Sequence, residues 1–270
     1  METGHDRDHP LHGGMMNTVR RRGDRVVRLA PDHAPALHAF LTDLAATGFT
    51  GAPRPLALNP DGHEELTYLE GDVALPPFPA WALTDRTVTL VARLLRRYHD
   101  AAAEVPFDPG ARWPTALSDP EGGPLLCHND PCLENVVFRD GCAFALIDFD
   151  LAAPGRPRPP PLGRGRPGLL PRPDPGPRVG RRHRLPRRGR PHRLRLLADG
   201  YGLSHADRAL LPATVVRYNE VSRAFVLDRV ERGDPVFTRD LERLGGMARW
   251  DRRRDWLIER EPLFLRALTE

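Results

Sequence analysis

The chain has 270 residues, 40% apolar and 28% charged, enough to bury a substantial core as one large domain or two lobes. No stretch approaches the roughly 20 apolar residues of a helical membrane span, and the polar opening from Met1 to Pro10 lacks the basic and apolar regions of a signal peptide, so a cytoplasmic location with no membrane partner is expected. The formal net charge of +4 is unevenly placed: thirteen arginines against one acid, Asp174, give the segment Arg156 to Arg193 a charge of +12 and leave the remainder at −8.

In chain order, His12-Gly13-Gly14-Met15-Met16-Asn17 precedes two strand-like runs between Thr18 and Leu29 that turn at Gly23-Asp24. Gly13 and Gly14 would let backbone N–H groups approach a phosphate, although a plain turn has the same composition. A helix is predicted from Asp32 to Thr47, with Leu37, Phe40, Leu41 and Leu44 on one face and a stop at Gly48. Pro55 to Leu69 reads as a second hairpin turning at Asp61-Gly62, and Glu70-Gly71-Asp72 leaves this first lobe. After a proline-rich linker, Thr84 caps a long helix ending near Ala103, with Leu90, Val91, Leu94, Leu95 and Tyr98 on one side. His99 falls in its last turn, where a positive charge suits the helix dipole.

The most informative stretch runs from Leu126 to Asp150. Val136 to Phe138 and Ala143 to Ile147 are short apolar runs separated by Asp140-Gly141, a strong hairpin signal. With Arg139 facing Cys142, the pairing runs back until Asn135 lies opposite Leu146, so Asn135 and Asp148 share the open end and can converge on one cation. Asp130 enters from the preceding loop. Cys127, Cys132 and Cys142 surround this hairpin without disulfide-framework spacing, which reads as reduced thiols; a zinc site would need a further ligand at finger spacing.

His128-x-Asp130-x4-Asn135, the twelve residues from there to Asp148, and Asp148-Phe149-Asp150 in place of a kinase Asp-Phe-Gly together resemble the aminoglycoside phosphotransferase family, small-molecule relatives of the protein kinases. The resemblance implies an α+β, two-lobed protein-kinase-like fold: a small N-terminal antiparallel sheet lobe, residues 1–72, and a larger, mainly helical C-terminal lobe, residues 73–270. It implies an enzyme that moves the γ-phosphoryl group of ATP or GTP to a hydroxyl of a small molecule, with Mg2+ held by Asn135 and Asp148. Asp130 would be the catalytic base and His128 the second catalytic-loop residue, bracing the loop. The phosphate-binding lysine of that fold has Arg28 as its nearest match, and the carboxylate expected on the following helix has only His38, whose neutral ring would neutralise Arg28 poorly. A solvated strand arginine is the alternative. Gly13 and Gly14 would cover the nucleotide, and the backbone of Thr67, Tyr68 and Leu69 would bond the base edge. Acids of the C-terminal region, Asp228, Glu231, Asp234 and Glu242, are candidates for holding a cationic acceptor such as an aminoglycoside, or are helix-surface charges.

The chain departs from the family after Pro157, where a short acidic motif and a helix are expected and Arg, Pro and Gly dominate instead. The segment 156–193 reads as a disordered linker, as a basic arm for nucleic acid, or as a stretch translated out of frame between two compensating frame changes. No aromatic residue interleaves its arginines, so a nucleic-acid partner is not expected. An inactive nucleotide-binding relative damaged at this segment is the rival to an active kinase. Beyond it, Ser204 caps a helix from His205, and further helical runs are predicted at Pro212–Glu231 and Arg249–Leu268, with Trp250, Trp256, Leu257 and Phe264 in the core.

Overall fold

A computed structural model describes residues 9–11, 19–157 and 189–270. Gly13, Gly14 and most of the arginine-rich segment lie outside the described residues. In order come β1 (His9–Leu11), β2 (Val19–Arg22), β3 (Arg25–Leu29), α1 (Ala34–Ala46), β4 (Pro55–Leu58), β5 (His63–Thr67), β6 (Asp72–Val73), α2 (Asp85–Ala102), β7 (Leu125–Cys127), β8 (Val136–Arg139), β9 (Cys142–Leu146), β10 (Ala153–Gly155), α3 (Gly189–Tyr201), α4 (His205–Glu231), α5 (Pro235–Arg243), α6 (Ala248–Glu259) and α7 (Glu261–Thr269). The fold is α+β, as expected. Contacts divide the chain into residues 1–79 with 94–157, and residues 80–93 with 158–270. Asp72 and Val73 form β6, which pairs with β8 and so joins the linker to the β8–β9 hairpin. Gly71 allows this approach: its φ is 147°, and a Cβ there would lie 2.5 Å from the Phe138 carbonyl oxygen.

The first unit contains a five-stranded antiparallel sheet in the order β1-β2-β3-β5-β4, a three-stranded sheet β6-β8-β9, and the pair β7-β10. Gly23 takes the positive φ of 59° that the β2–β3 turn requires, while Asp140 and Gly141, at 52° and 69°, are both left-handed as a type I′ hairpin demands. Leu37, Phe40, Leu41 and Leu44 of α1 are all buried. Tyr98, fully buried, donates its hydroxyl to the Leu126 carbonyl at 2.6 Å and meets Phe149 edge-on, tying α2 to β7 and to the segment after the hairpin. His99 departs from expectation. It is 2% exposed, and burial, aided by Arg96, pulls its pKa down to about 4; it is a neutral core residue, not a dipole-capping cation.

In the second unit α4 packs on α5, α6 and α7, and α3 on α7. Trp250, Trp256, Leu257 and Phe264 are buried as predicted. Ser204 accepts a hydrogen bond from the Asp207 N–H at 3.1 Å, the expected cap. Helix α4 runs through Pro212 without interruption, whereas the single run predicted at 249–268 breaks at Arg260 into α6 and α7, ahead of Pro262. Helix α3 begins before Leu194, inside the arginine-rich segment, where buried Arg193 pairs with Asp85 at 3.0 Å. No helix among the described residues is long and apolar enough to cross a membrane.

Candidate active site

The site is built from three pieces of the first unit. Strands β3 and β5 bring Arg28 directly opposite Glu64, where Cβ atoms approach to about 5 Å. Buried Arg28 donates from Nε to Glu64 Oε1 at 2.7 Å and from Nη1 to Asp148 Oδ1 at 3.0 Å, and Nη2 ion-pairs with Asp150 Oδ1 at 2.5 Å. His38 Nε2 lies 2.7 Å from the other Glu64 oxygen. Burial alone would weaken the guanidinium's hold on its proton, but Asp150, Asp148 and Glu64 outweigh it and raise the pKa. Burial likewise opposes ionisation of Glu64, and the His38 hydrogen bond with the Arg28 charge reverses that, holding the carboxyl below its usual range. The carboxylate paired with Arg28 thus lies on the neighbouring strand and not on α1, and Arg28 is not a solvated strand residue.

The loop from His128 to Asn135, the candidate catalytic loop, is the second piece. The Asp130 N–H donates to the His128 carbonyl at 2.9 Å across Asn129, which has φ 61°. His128 Nδ1 accepts from the Asp130 N–H at 3.3 Å, so Nε2 carries the ring proton and donates to the Ile147 carbonyl at 2.9 Å. With both ring nitrogens on backbone and 1% exposure, His128 braces loop against hairpin. Asn135 Nδ2 donates to both the Asp130 carbonyl, at 3.0 Å, and Asp130 Oδ2, at 2.9 Å. Those two acceptors fix the amide orientation and turn Asn135 Oδ1 away from Asp130.

The hairpin is the third piece, and its register differs from the predicted one. Arg139 faces Cys142 and Phe138 faces Ala143, but then Val137 faces Ala145 and Val136 faces Leu146, so Phe144 is an extra residue on β9. The Arg139 guanidinium stacks 3.9 Å from the Phe144 ring. This bulge shifts the open end by one residue. Asn135 accepts from the Ile147 N–H at 2.9 Å instead of standing opposite Leu146, which brings it one step nearer Asp148. Asp148 adopts φ 65°, and its side chain is 38% exposed.

Charge shows what the site can hold. Glu64, Asp148 and Asp150 surround one guanidinium, and the Asp150 carboxyl is pushed up to about 6 by burial, with Asp148 and Glu64 adding to the shift against Arg28. A surplus of carboxylate, together with the oxygen of Asn135, suits a hard divalent cation that completes its shell with water and phosphate. The residues present therefore fit magnesium, although among the described residues no cluster of three His, Cys, Asp or Glu forms a ready-made metal cage.

The backbone N–H groups of Thr67, Tyr68 and Leu69 are the expected donors to a base edge. The Thr67 N–H donates to Arg54 O at 2.9 Å and the Tyr68 N–H to Asp24 O at 2.7 Å, so loop and turn carbonyls at the sheet's end take both; of the three N–H donors only that of Leu69 makes no hydrogen bond among the described residues. Among the acidic candidates of the C-terminal region, Asp234 caps α5 and pairs with Arg229, and Asp228 pairs with Arg232. All three cysteines are free, and burial pushes the Cys127 thiol up to about 12. Sequence reasoning missed Glu64 and Asp150 as partners of Arg28. For Glu64 a signal existed: it alternates with Leu66, so it points inward.

Comparison with known proteins agrees with this arrangement. A profile of the phosphotransferase enzyme family matches residues 108–158, the stretch that carries the catalytic loop and hairpin. The chain is 32% identical over 206 residues to a trifolitoxin immunity protein of Rhizobium leguminosarum bv. trifolii, covering 73% of this chain and 75% of that one. Among solved structures it resembles a choline/ethanolamine kinase family protein from Mesorhizobium loti, with a TM-score of 0.64 and 17% identity over 98% of this chain and 94% of that one. It also resembles APH(2")-IIa in its ternary complex with streptomycin and ATP, with a TM-score of 0.51 and 10% identity over 91% and 93% of the two chains. On this sequence match and this fold, the chain belongs to the phosphotransferase enzyme family.

Proposed function

We propose that the protein transfers the γ-phosphoryl group of ATP or GTP to a hydroxyl of a small molecule, with Asp130 as the base and a cationic acceptor of the aminoglycoside type as the first class to test. The observation that carries this reading is the single hydrogen-bonded frame joining Asp130, Asn135 and the hairpin that presents Asp148 to Arg28. Asp130 would accept the proton of the acceptor hydroxyl; its Oδ2 is held by Asn135 and its backbone by His128, so the carboxylate is oriented before the acceptor arrives. Arg28 would meet the nucleotide phosphates with a planar fork of donors. Leu69 supplies the backbone N–H for the base edge. Magnesium held by Asn135 Oδ1 and Asp148 would neutralise charge across the phosphates.

Every one of these residues precedes the arginine-rich segment and belongs to the first unit, and both described flanks of that segment are anchored, Arg156 by Asp119 and Arg193 by Asp85. That favours an active enzyme over an inactive nucleotide-binding relative. The test is magnesium-dependent nucleotide turnover with aminoglycosides, choline, ethanolamine and trifolitoxin as acceptors. Acceptor-dependent turnover should fall about 10²- to 10⁴-fold in Asp130→Asn, with ATP affinity retained. Equal turnover in the variant refutes the assignment, and ATP binding without turnover on any acceptor favours the inactive relative.

A further inference from the structure

The three carboxylates around Arg28 are not equivalent. Asp148 follows the hairpin at a left-handed residue, and its side chain is 38% exposed. Asp150 lies in the short 3-10 turn after it. Glu64 sits within the β3–β5 ladder, is 0% exposed, and takes Nε, the guanidinium nitrogen nearest the backbone. Its second oxygen is held from behind by His38 of α1 at 2.7 Å. The outer nitrogens meet Asp148 and Asp150; the contact to Nε depends on neither, so it persists when Asp148 turns to a metal and Nη1 to a phosphate. An ionised glutamate at a fully buried strand position contributes less to stability than a well-packed apolar residue often would. Its geometry is that of an aiming device.

We propose that Glu64, held by His38, is the positioning residue that keeps Arg28 aimed at the nucleotide phosphates, so that strand β5 supplies the anchoring carboxylate and helix α1 acts through an imidazole. The inference rests on the phosphotransferase reading above. His38 is then the third member of an Arg28–Glu64–His38 chain running from sheet to helix.

The experiment measures equilibrium affinity for ATP and for adenosine, with magnesium, in the full chain. Adenosine lacks phosphates, so the ratio of the two affinities isolates the phosphate contribution from general damage to the fold. In Glu64→Gln, ATP affinity should fall about tenfold to a hundredfold, the range for losing a hydrogen bond to a charged group, while adenosine affinity holds. His38→Gln, which keeps a donor to Glu64, should retain most of the ratio, and His38→Leu should lose part of it. An unchanged ratio in Glu64→Gln overturns the proposal. Should that variant fail to fold, equal ratios in His38→Leu and His38→Gln overturn it instead. A wild-type protein that binds neither ATP more tightly than adenosine nor GTP more tightly than guanosine removes the phosphotransferase reading itself, an outcome distinct from the failure of Glu64 alone.

Discussion

Replacing Arg28 by Met keeps an unbranched chain of similar reach and removes the cation from a site where Glu64 is 0% exposed. Glu64 must then remain charged in a buried position or take up a proton. Breaking a buried pair costs about 3–5 kcal/mol, and protonation sets a ceiling on that cost. A carboxyl with an ordinary pKa near 4.3 needs about 4 kcal/mol to be held neutral at pH 7.5 and under 2 kcal/mol at pH 5.5. His38, 2.7 Å from Oε2, offsets part of the loss, and Asp148, 38% exposed, adds little because water screens it. A destabilisation of about 3 kcal/mol at pH 7.5, shrinking to about 1–2 kcal/mol at pH 5.5, is expected. The sign follows from linkage. In the wild type Glu64 titrates below its unfolded value, so its contribution is present above that value and fades only in stronger acid. In the variant it titrates above, so the folded state gains protons as pH falls and recovers stability. Urea unfolding at the two pH values measures both numbers. A loss below about 0.5 kcal/mol at pH 7.5, within the range of ordinary surface substitutions, or one that does not shrink in acid, refutes the reasoning.

Two further predictions concern the helix that supports the catalytic loop. His99 titrates at about 4 in the folded protein against 6.5 when unperturbed, so the unfolded chain binds a proton that the folded chain refuses, and stability is lost as pH falls from 6.5 toward 4. The ceiling is about 3 kcal/mol, and melting curves of His99→Gln should be flatter with pH over that window; parallel curves for the two proteins refute it. Tyr98→Phe removes the 2.6 Å hydrogen bond to the Leu126 carbonyl and leaves that acceptor unpaired, costing about 1–3 kcal/mol; a melting temperature equal to that of the wild type would show that the hydroxyl contributes nothing.

Most of the candidate site's local geometry was legible because its signals are local. Asp140-Gly141 demanded a type I′ turn, the alternation on either side demanded strands, and His128, Asp130, Asn135 and Asp148 took their places from spacing along a few turns of chain. The helices α1 and α2 followed from apolar periodicity and the Thr84 cap, which accepts from the Thr87 N–H at 3.2 Å. What failed locally also failed for a reason. Pro212 signals a helix boundary, but it is buried against the packed face of α4, and tertiary packing outweighs the missing N–H.

Three decisions belonged to tertiary structure alone. Whether Phe144 pairs or bulges depends on what each face of β9 meets, and that choice set Asn135 against Ile147 instead of Leu146. Whether His99 is charged depends on burial, to which helix position is blind. And which carboxylate anchors Arg28 depends on the register of β3 with β5, 36 residues apart. Sequence by itself determined the residue types, the turns and the spacing of the catalytic loop, since those are written in neighbouring residues. Only the folded chain decided the partners, because an ion pair across a sheet follows from the pairing of distant strands and the water that pairing excludes.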